Sequence, residues 1–289
     1  MAPLARDAPV ADARSIAIRR MSAGVARRLR AAPAEAGRVH SVFERAVNLA
    51  WHDGRLLTLQ APGPLRAPFA AALTRLPHPG AVRAGMPVWR RGDALALAGC
   101  VVRWSDAAVA ETAMPASHAG PGPALSRLPT ALFAASAPGL SSSIAIRARA
   151  RMAEALRRRD AAAFLEGAEA LVGLGEGLTP AGDDCLVGVL AAIHRFARPW
   201  LSEHPEIRDA LERTAAVGTT AVAREFVAHA AAGHFAEALI DLLTADSDAG
   251  AARAAARLRD SGATSGADTL VGLHLALTAL DGALDGVRP

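Results

Sequence analysis

Two stretches of this chain place glycines, hydroxyls and carboxylates at the mouth of an apolar helix. The first runs Gly173-Leu174-Gly175-Glu176-Gly177-Leu178-Thr179-Pro180-Ala181-Gly182-Asp183-Asp184, followed at once by Cys185-Leu186-Val187-Gly188-Val189-Leu190. The second runs Gly262-Ala263-Thr264-Ser265-Gly266-Ala267-Asp268-Thr269-Leu270-Val271-Gly272-Leu273. Aligned with one gap, Thr179 matches Thr264, Gly182 matches Gly266 and Asp184 matches Asp268. Leu186-Val187-Gly188 then matches Leu270-Val271-Gly272. An internal repeat of this kind predicts two copies of one device.

The chemistry follows from the residue types. Thr179 before Pro180 reads as a helix N-cap and first helical residue. Such a helix start offers free N–H groups and a positive dipole end, which suit a phosphate or carboxylate. Acids nevertheless stand there, at Asp183, Asp184 and Asp268. A buried carboxylate is costly unless it is capped, paired or metal-bound. One Asp per helix is explained as a cap. The Asp183-Asp184 pair and the long glycine lead-in point further, to a ligand or metal site.

Stepping along the chain gives the elements that must hold these residues. Ser15 to Ala32 reads as an Arg-rich amphipathic helix, and Val39 to Leu49 is mixed in pattern. His52-Asp53-Gly54 is a turn signal, and Arg55 to Gln60 alternates like a strand. Pro62, Gly63 and Pro64 break the chain. Ala84 to Trp104 reads as a hairpin turning at Arg91-Gly92-Asp93. Residues 113–140 are rich in Pro, Gly, Ala and Ser and read as a linker or long loop. From Ser141 on, the pattern is helical: 144–159, 161–172, 183–196, 205–216, 220–232, 234–243, 251–259 and 267–280. The expected fold class is α+β, with an N-terminal strand-containing part and an all-helical C-terminal part. The expected organisation is a basic N-terminal arm or helix at 1–37, a mixed α/β part at 38–125 and a helical part at 126–289 that carries both motifs. The binding site is expected where the two repeated helix starts converge, related by a local pseudo-twofold axis.

Composition narrows the function classes. The chain has 289 residues, 52% hydrophobic and 21% charged, as in a globular protein. All 32 basic residues are Arg, so neither a Schiff-base lysine nor a P-loop lysine exists. The net charge is +4, but residues 1–40 hold eight Arg against three acids and the remainder 24 Arg against 25 acids. A near-neutral body lacks the basic face expected of a nucleic-acid binder. Ala94 to Val102 and Cys185 to Ile193 are the longest apolar stretches, far short of the ~20 residues a membrane helix needs. With two cysteines and no apolar run near the N-terminus, the expected location is cytoplasmic.

Other reactive residues carry weaker signals. His229 and His234 are five apart, off the helical i,i+4 spacing, and no HExxH occurs. The nine histidines therefore read as structural or surface groups, and no metal centre is assigned from them. His40 beside Ser41 lacks the G-x-S-x-G elbow of a serine hydrolase. Cys185 reads as core packing. Gly173-x-Gly175-x-Gly177 follows no obvious βαβ strand, so a dinucleotide fingerprint is not supported.

The motif GLGEGLTPAGDD resembles the GLGPGLTPSGDD-type signature of a bacterial family. TSGADTLVGL at 264–273 is similar to that family's TSG-x-D-x-L-x-G element, and VFERAVNL at 42–49 to its F-x-R-A-V-N-L-like segment. The resemblance spans roughly residues 38 to 282. The family includes the AllH-like third subunit of the heteromeric oxamate carbamoyltransferase of allantoin catabolism. That enzyme interconverts oxalurate and phosphate with carbamoyl phosphate and oxamate. By resemblance, Gly177, Thr179, Gly182, Asp183 and Asp184, with Thr264, Ser265, Gly266 and Asp268, are ligand-binding positions. Thr219-Thr220-Ala221-Val222 resembles the hydroxyl-rich helix start lying between them in relatives. Glu176 stands where Pro is expected, Ala181 for Ser and Ala263 for His; an acid at 176 weakens anion binding.

On this reading the chain takes a small-molecule substrate, works with partner subunits and needs no cofactor. Asp184 and Asp268 are the catalytic candidates, orienting the oxamate amide or serving as general base. Gly177, Thr179, Gly182, Asp183, Thr219, Thr220, Thr264, Ser265 and Gly266 bind ligand. Two alternatives come from other classes. One is a metal-dependent hydrolase, because Ser265 to Thr269 resembles the helix entrance of the magnesium-binding ADP-ribosylglycohydrolases; magnesium belongs to that alternative. The other is a non-catalytic scaffold subunit whose Asp caps only hold helices together.

Overall fold

The computed structural model describes residues 14–78, 80–117, 120–128 and 138–285. They divide into two compact units, 14–65 with 69–110 and 66–68 with 111–285.

The first unit is a closed sheet. Its strands are β1 (Arg14–Ser22), β2 (Glu35–Phe43), β3 (Ala46–Trp51), β4 (Leu56–Gln60), β5 (Ala70–Leu73), β6 (Pro87–Arg91), β7 (Ala94–Leu97), β8 (Cys100–Arg103) and β9 (Ala108–Ala110). They are ordered β5-β4-β3-β2-β6-β7-β8-β1-β9, and a further β1–β5 pairing joins eight strands into a barrel-like ring. Closing the ring removes exposed sheet edges. β1 makes closure possible by dividing its length. Residues 14–17 run parallel to β8, and Ile18 to Met21 run antiparallel to β5. Arg20 to Ser22 meet β9.

The helix expected over Ser15 to Ala32 is therefore corrected: Ser15 to Ser22 belong to β1. Ile16 and Ile18 are buried and alternate with exposed Ser15, Ala17 and Arg19, the period of a strand. Pairing with three strands outweighs the helical pattern of the arginines. The helix α1 (Ala23–Ala31) begins only at Ser22, whose hydroxyl accepts the Val25 N–H at 3.1 Å. It buries Val25, Ala26 and Leu29 in the barrel core beside Leu49, Leu59 and Leu95. Arg28 in α1 donates to the Leu56 carbonyl at 2.7 Å and pairs with Asp53 at 2.9 Å.

The turn expected at 52–54 and the strand at 55–60 are observed. The hairpin at 84–104 is observed with an added turn, because Ala98-Gly99 splits its second arm into β7 and β8. The segment VFERAVNL spans the β2–β3 hairpin. Its Asn48 is buried; its amide oxygen accepts from the Thr58 hydroxyl at 2.7 Å and its amide nitrogen donates to the Ser41 hydroxyl at 3.1 Å. Asn48 is thus a cross-strand connector between β2 and β4.

The second unit is helical: α2 (Pro123–Ser126), α3 (Ser143–Arg158), α4 (Ala161–Glu169), α5 (Ala181–Phe196), α6 (Arg198–Glu203), α7 (Pro205–Gly218), α8 (Ala221–Ala231), α9 (Glu237–Leu243), α10 (Asp248–Arg259) and α11 (Ser265–Asp285). The sequence reading missed α6, a short helix that Pro199 opens. Of the loop expected over 113–140, residues 118–119 and 129–137 lie outside the described residues. Its start is tied down, since Met114 donates to Gly233 O at 2.9 Å and Arg195 donates to Pro115 O at 2.9 Å. α5 is the axis of the unit. Every residue from Ala181 to His194 is buried, so its apolar sequence on all sides is that of a central helix.

Candidate functional site

α5 and α11 carry the two repeated motifs, and glycine lets them touch backbone to backbone. A Cβ on Gly188 would lie 2.0 Å from the Thr269 carbonyl oxygen. A Cβ on Gly272 would lie 1.9 Å from the Cys185 carbonyl oxygen. These two contacts are equivalent under the repeat, because each glycine stands four residues after its Asp and each carbonyl one residue after. Gly182 and Gly266 are equivalent as well; each faces a carbonyl of the preceding segment, Leu171 and Leu258, at 2.0 and 1.8 Å from a built Cβ. The two helix starts thus make reciprocal contacts. The sequence reading singled out the repeat but did not see Gly188 and Gly272 as its points of closest approach.

The helix starts meet through their hydroxyls. Thr179 Oγ1 and Ser265 Oγ are 2.6 Å apart and hydrogen-bonded. Thr179 is not the N-cap expected. α5 begins at Ala181 and Pro180 is its cap residue, without a side-chain bond. The Thr179 hydroxyl is consequently spent across the helix pair rather than on its own helix.

Several N–H groups at the helix mouths are occupied. Gly182 N–H donates to Leu174 O at 2.8 Å, and Asp183 and Asp184 N–H to Pro180 O at 3.0 and 3.2 Å. At α11, Gly266 N–H donates to Ser261 O at 3.1 Å and Asp268 N–H to Thr264 O at 3.0 Å. These five amides are therefore not available to cradle an anion. Oxygen dominates what is left to the site.

The three aspartates have different tasks. Asp183 accepts the Gly173 N–H on both oxygens at 3.2 Å and the Thr219 hydroxyl at 2.6 Å. It anchors the glycine-rich loop, whose Gly173 has φ +72° and would place a Cβ 2.0 Å from Gly218 O. Burial pushes its pKa up to about 6, against the pull of Thr219 and Gly173. Thr220 caps α8 by accepting the Ala223 N–H at 3.1 Å, and its hydroxyl donates to Leu178 O. Asp183, Thr219 and Thr220 thus hold the loop in place. Gly177 has φ +93° and open space around it.

Asp184 and Asp268 are different. Both are buried, and Asp184 Oδ2 and both carboxylate oxygens of Asp268 have no hydrogen-bond partner. Burial raises Asp184 to about 7; the hydroxyls of Ser265 and Thr179 oppose this, and the charges of Asp268 and Asp183 add to it. Burial raises Asp268 to about 6, opposed by the Thr264 hydroxyl, which favours the charged form without reaching hydrogen-bonding geometry. Among the described residues, no third His, Cys, Asp or Glu joins them in a metal-binding group.

Neighbouring groups fit a structural role. Burial pushes the Cys185 thiol up to about 12, which leaves no thiolate at neutral pH. His194 is buried on α5, within 3.3 Å of Ala231 O, and burial lowers its pKa to about 4.

Comparison with known families decides the kinship. The AllH family N-terminal domain matches residues 14–109, and oxamate carbamoyltransferase subunit AllH matches residues 171–277. The chain belongs to the AllH family. No curated protein and no solved structure matches it. Within this AllH-family chain, the N-terminal match covers the barrel strands. The other match contains both helix mouths, from the Leu171 carbonyl that Gly182 approaches to the central turns of α11. The resemblance read from the motifs is thereby borne out. Among its described residues, no helix of this AllH-family protein is long and apolar enough to cross a membrane.

Proposed function

We propose that this chain is a subunit of a heteromeric oxamate carbamoyltransferase. On this reading, small-molecule substrate binds where the α5 and α11 mouths converge. The observation that carries the reading is family membership over both halves of the chain, with Asp184 and Asp268 left open at the mouths. Thr179, Ser265 and Thr264 supply hydroxyls beside them, while Asp183, Thr219 and Thr220 fix the loop that carries Gly177. Gly188 and Gly272 bring the two helices together, while Gly182 and Gly266 seat each helix start against its own preceding segment.

Carbamoyl transfer to oxamate forms a C–N bond, breaks the C–O bond to phosphate and releases one proton from the amide nitrogen. Orienting that nitrogen and taking the proton are tasks for groups with pKa near neutrality. Asp184 and Asp268, raised to about 7 and 6, lie in that range. Partner subunits complete the enzyme, and its setting is the cytoplasm.

The test is a thermal-shift titration of the purified chain with carbamoyl phosphate, oxamate, oxalurate, phosphate and ADP-ribose. Binding at a hundredfold excess over Kd stabilises by about 2.7 kcal/mol. A shift with carbamoyl phosphate or oxamate, lost in Asp184→Asn, supports the reading. A shift with ADP-ribose alone favours a hydrolase. No shift with any of them favours a scaffold subunit that lacks a site of its own.

A further inference from the structure

Three buried carboxylate oxygens make no hydrogen bond at the meeting point of α5 and α11: Asp184 Oδ2 and Asp268 Oδ1 and Oδ2. Asp268 is 0% exposed and Asp184 5%. A buried unpaired carboxylate is among the costliest groups a fold can hold, so a built site with three such oxygens implies an occupant. The occupant must supply positive charge or several donors.

Among the described residues, the groups acting most strongly on the two carboxylates are uncharged hydroxyls. The first-turn amides of Gly182, Asp183, Asp184, Gly266 and Asp268 already donate to carbonyls. The adjacent groups are the hydroxyls of Thr179, Ser265 and Thr264, which are themselves oxygen ligands. Asp183 is satisfied by Gly173 and Thr219 and takes no part.

We infer that Asp184 and Asp268 hold a divalent cation of the magnesium type where the α5 and α11 mouths meet. The donor set is all oxygen, two carboxylates with neighbouring hydroxyls. Among the described residues no His or Cys joins it, which disfavours zinc. Magnesium typically takes one or two carboxylates and completes its shell with water and substrate phosphate. The inference deepens the carbamoyltransferase reading, and it resolves the conflict of placing an anionic substrate beside two acids.

The probe is Mn2+, followed by electron paramagnetic resonance on the purified full-length chain at pH 7.5, without substrate. The expected result is one bound Mn2+ per chain, competed by Mg2+. Affinity falls at least tenfold in Asp268→Asn and several-fold in Ser265→Ala. Circular dichroism establishes that each variant is folded. Failure of the folded wild-type chain to bind at millimolar Mn2+ overturns the inference, as does unchanged affinity in Asp268→Asn. Carbamoyl phosphate added to the Mn2+-loaded chain separates this inference from the reading it rests on. A changed spectrum supports both; binding of Mn2+ with a spectrum indifferent to carbamoyl phosphate keeps the cation site and removes the substrate.

Discussion

Gly188 lies against the main-chain carbonyl of Thr269, so close that a methyl group there would sit 2.0 Å from the oxygen. The repeat makes Gly272 and Cys185 the counterpart pair. Two helices whose backbones touch cannot accept a side chain between them without moving apart. The distance between Asp184 and Asp268 is therefore set by glycine, not by the acids.

Gly188→Ala is expected to lower stability by about 1–3 kcal/mol, the usual cost of overpacking a tight core. Gly272→Ala should do the same, and each should weaken ligand binding at the helix mouths. Urea denaturation of the two variants checks this. An unchanged midpoint for either would show that the helices separate freely.

The hydroxyl pair Thr179–Ser265 joins the two mouths at 2.6 Å. Thr179→Ala and Ser265→Ala should each destabilise the chain, and the double variant should lose less than the sum. A coupling of about 0.5–1.5 kcal/mol is expected for one hydrogen bond in a double-mutant cycle. Strict additivity would mean that the bond contributes nothing.

Asp183 holds Gly173 and Thr219. Asp183→Ala strands an N–H and a hydroxyl, at a cost of about 2–3 kcal/mol. Hydrogen exchange should show the 173–179 loop opening faster in this variant, while the barrel strands keep their protection. Uniform protection would place the anchor elsewhere.

Stability should fall as pH rises through the neutral range when divalent cations are chelated. Asp184 and Asp268 have folded-state pKa values of about 7 and 6, above the ordinary 3.8. The folded state therefore binds more protons than the unfolded state between about pH 4 and 7. Stability from these groups is full below pH 4 and is lost as pH climbs through 6 and 7. His194 works the other way: its folded value is about 4 against 6.5, so its contribution is lost as pH drops from 6.5 towards 4. Asp268→Asn should gain about 2–3 kcal/mol at pH 8 and little at pH 4. Thermal melts in EDTA across this range measure it; a variant no more stable than wild type at pH 8 would contradict the burial assigned to Asp268.

Much of the second unit was readable in one dimension. Its helices announce themselves by apolar periodicity and by local caps such as Ser142, Asp160 and Thr220, each of which accepts an N–H three residues on. Signals of this kind need no distant partner, and apolar periodicity alone marks the helices in the sequence. β1 shows the opposite case. Its Arg-rich sequence allows a helix, and only the sheet partners at β8, β5 and β9 make it a strand. Arg28 reads as solvated charge in the sequence, yet it ties α1 to the β3–β4 turn.

The site divides along the same line. The sequence by itself determined which residues belong to the repeat, because Thr, Gly and Asp recur at matched spacing in 179–188 and 264–272. It also determined that both helices are apolar enough to be buried. Only the tertiary structure decided what each polar group does. Asp183 and Asp184 are adjacent and chemically identical, but a helix turns about a hundred degrees per residue. One carboxylate thus meets Gly173 and Thr219, and the other meets the second helix mouth. The Gly182 and Gly266 amides, free on paper, are taken by the Leu174 and Ser261 carbonyls outside the helices. Hydrogen-bond satisfaction is a property of the folded neighbourhood, and so is the charge the site is left to accept.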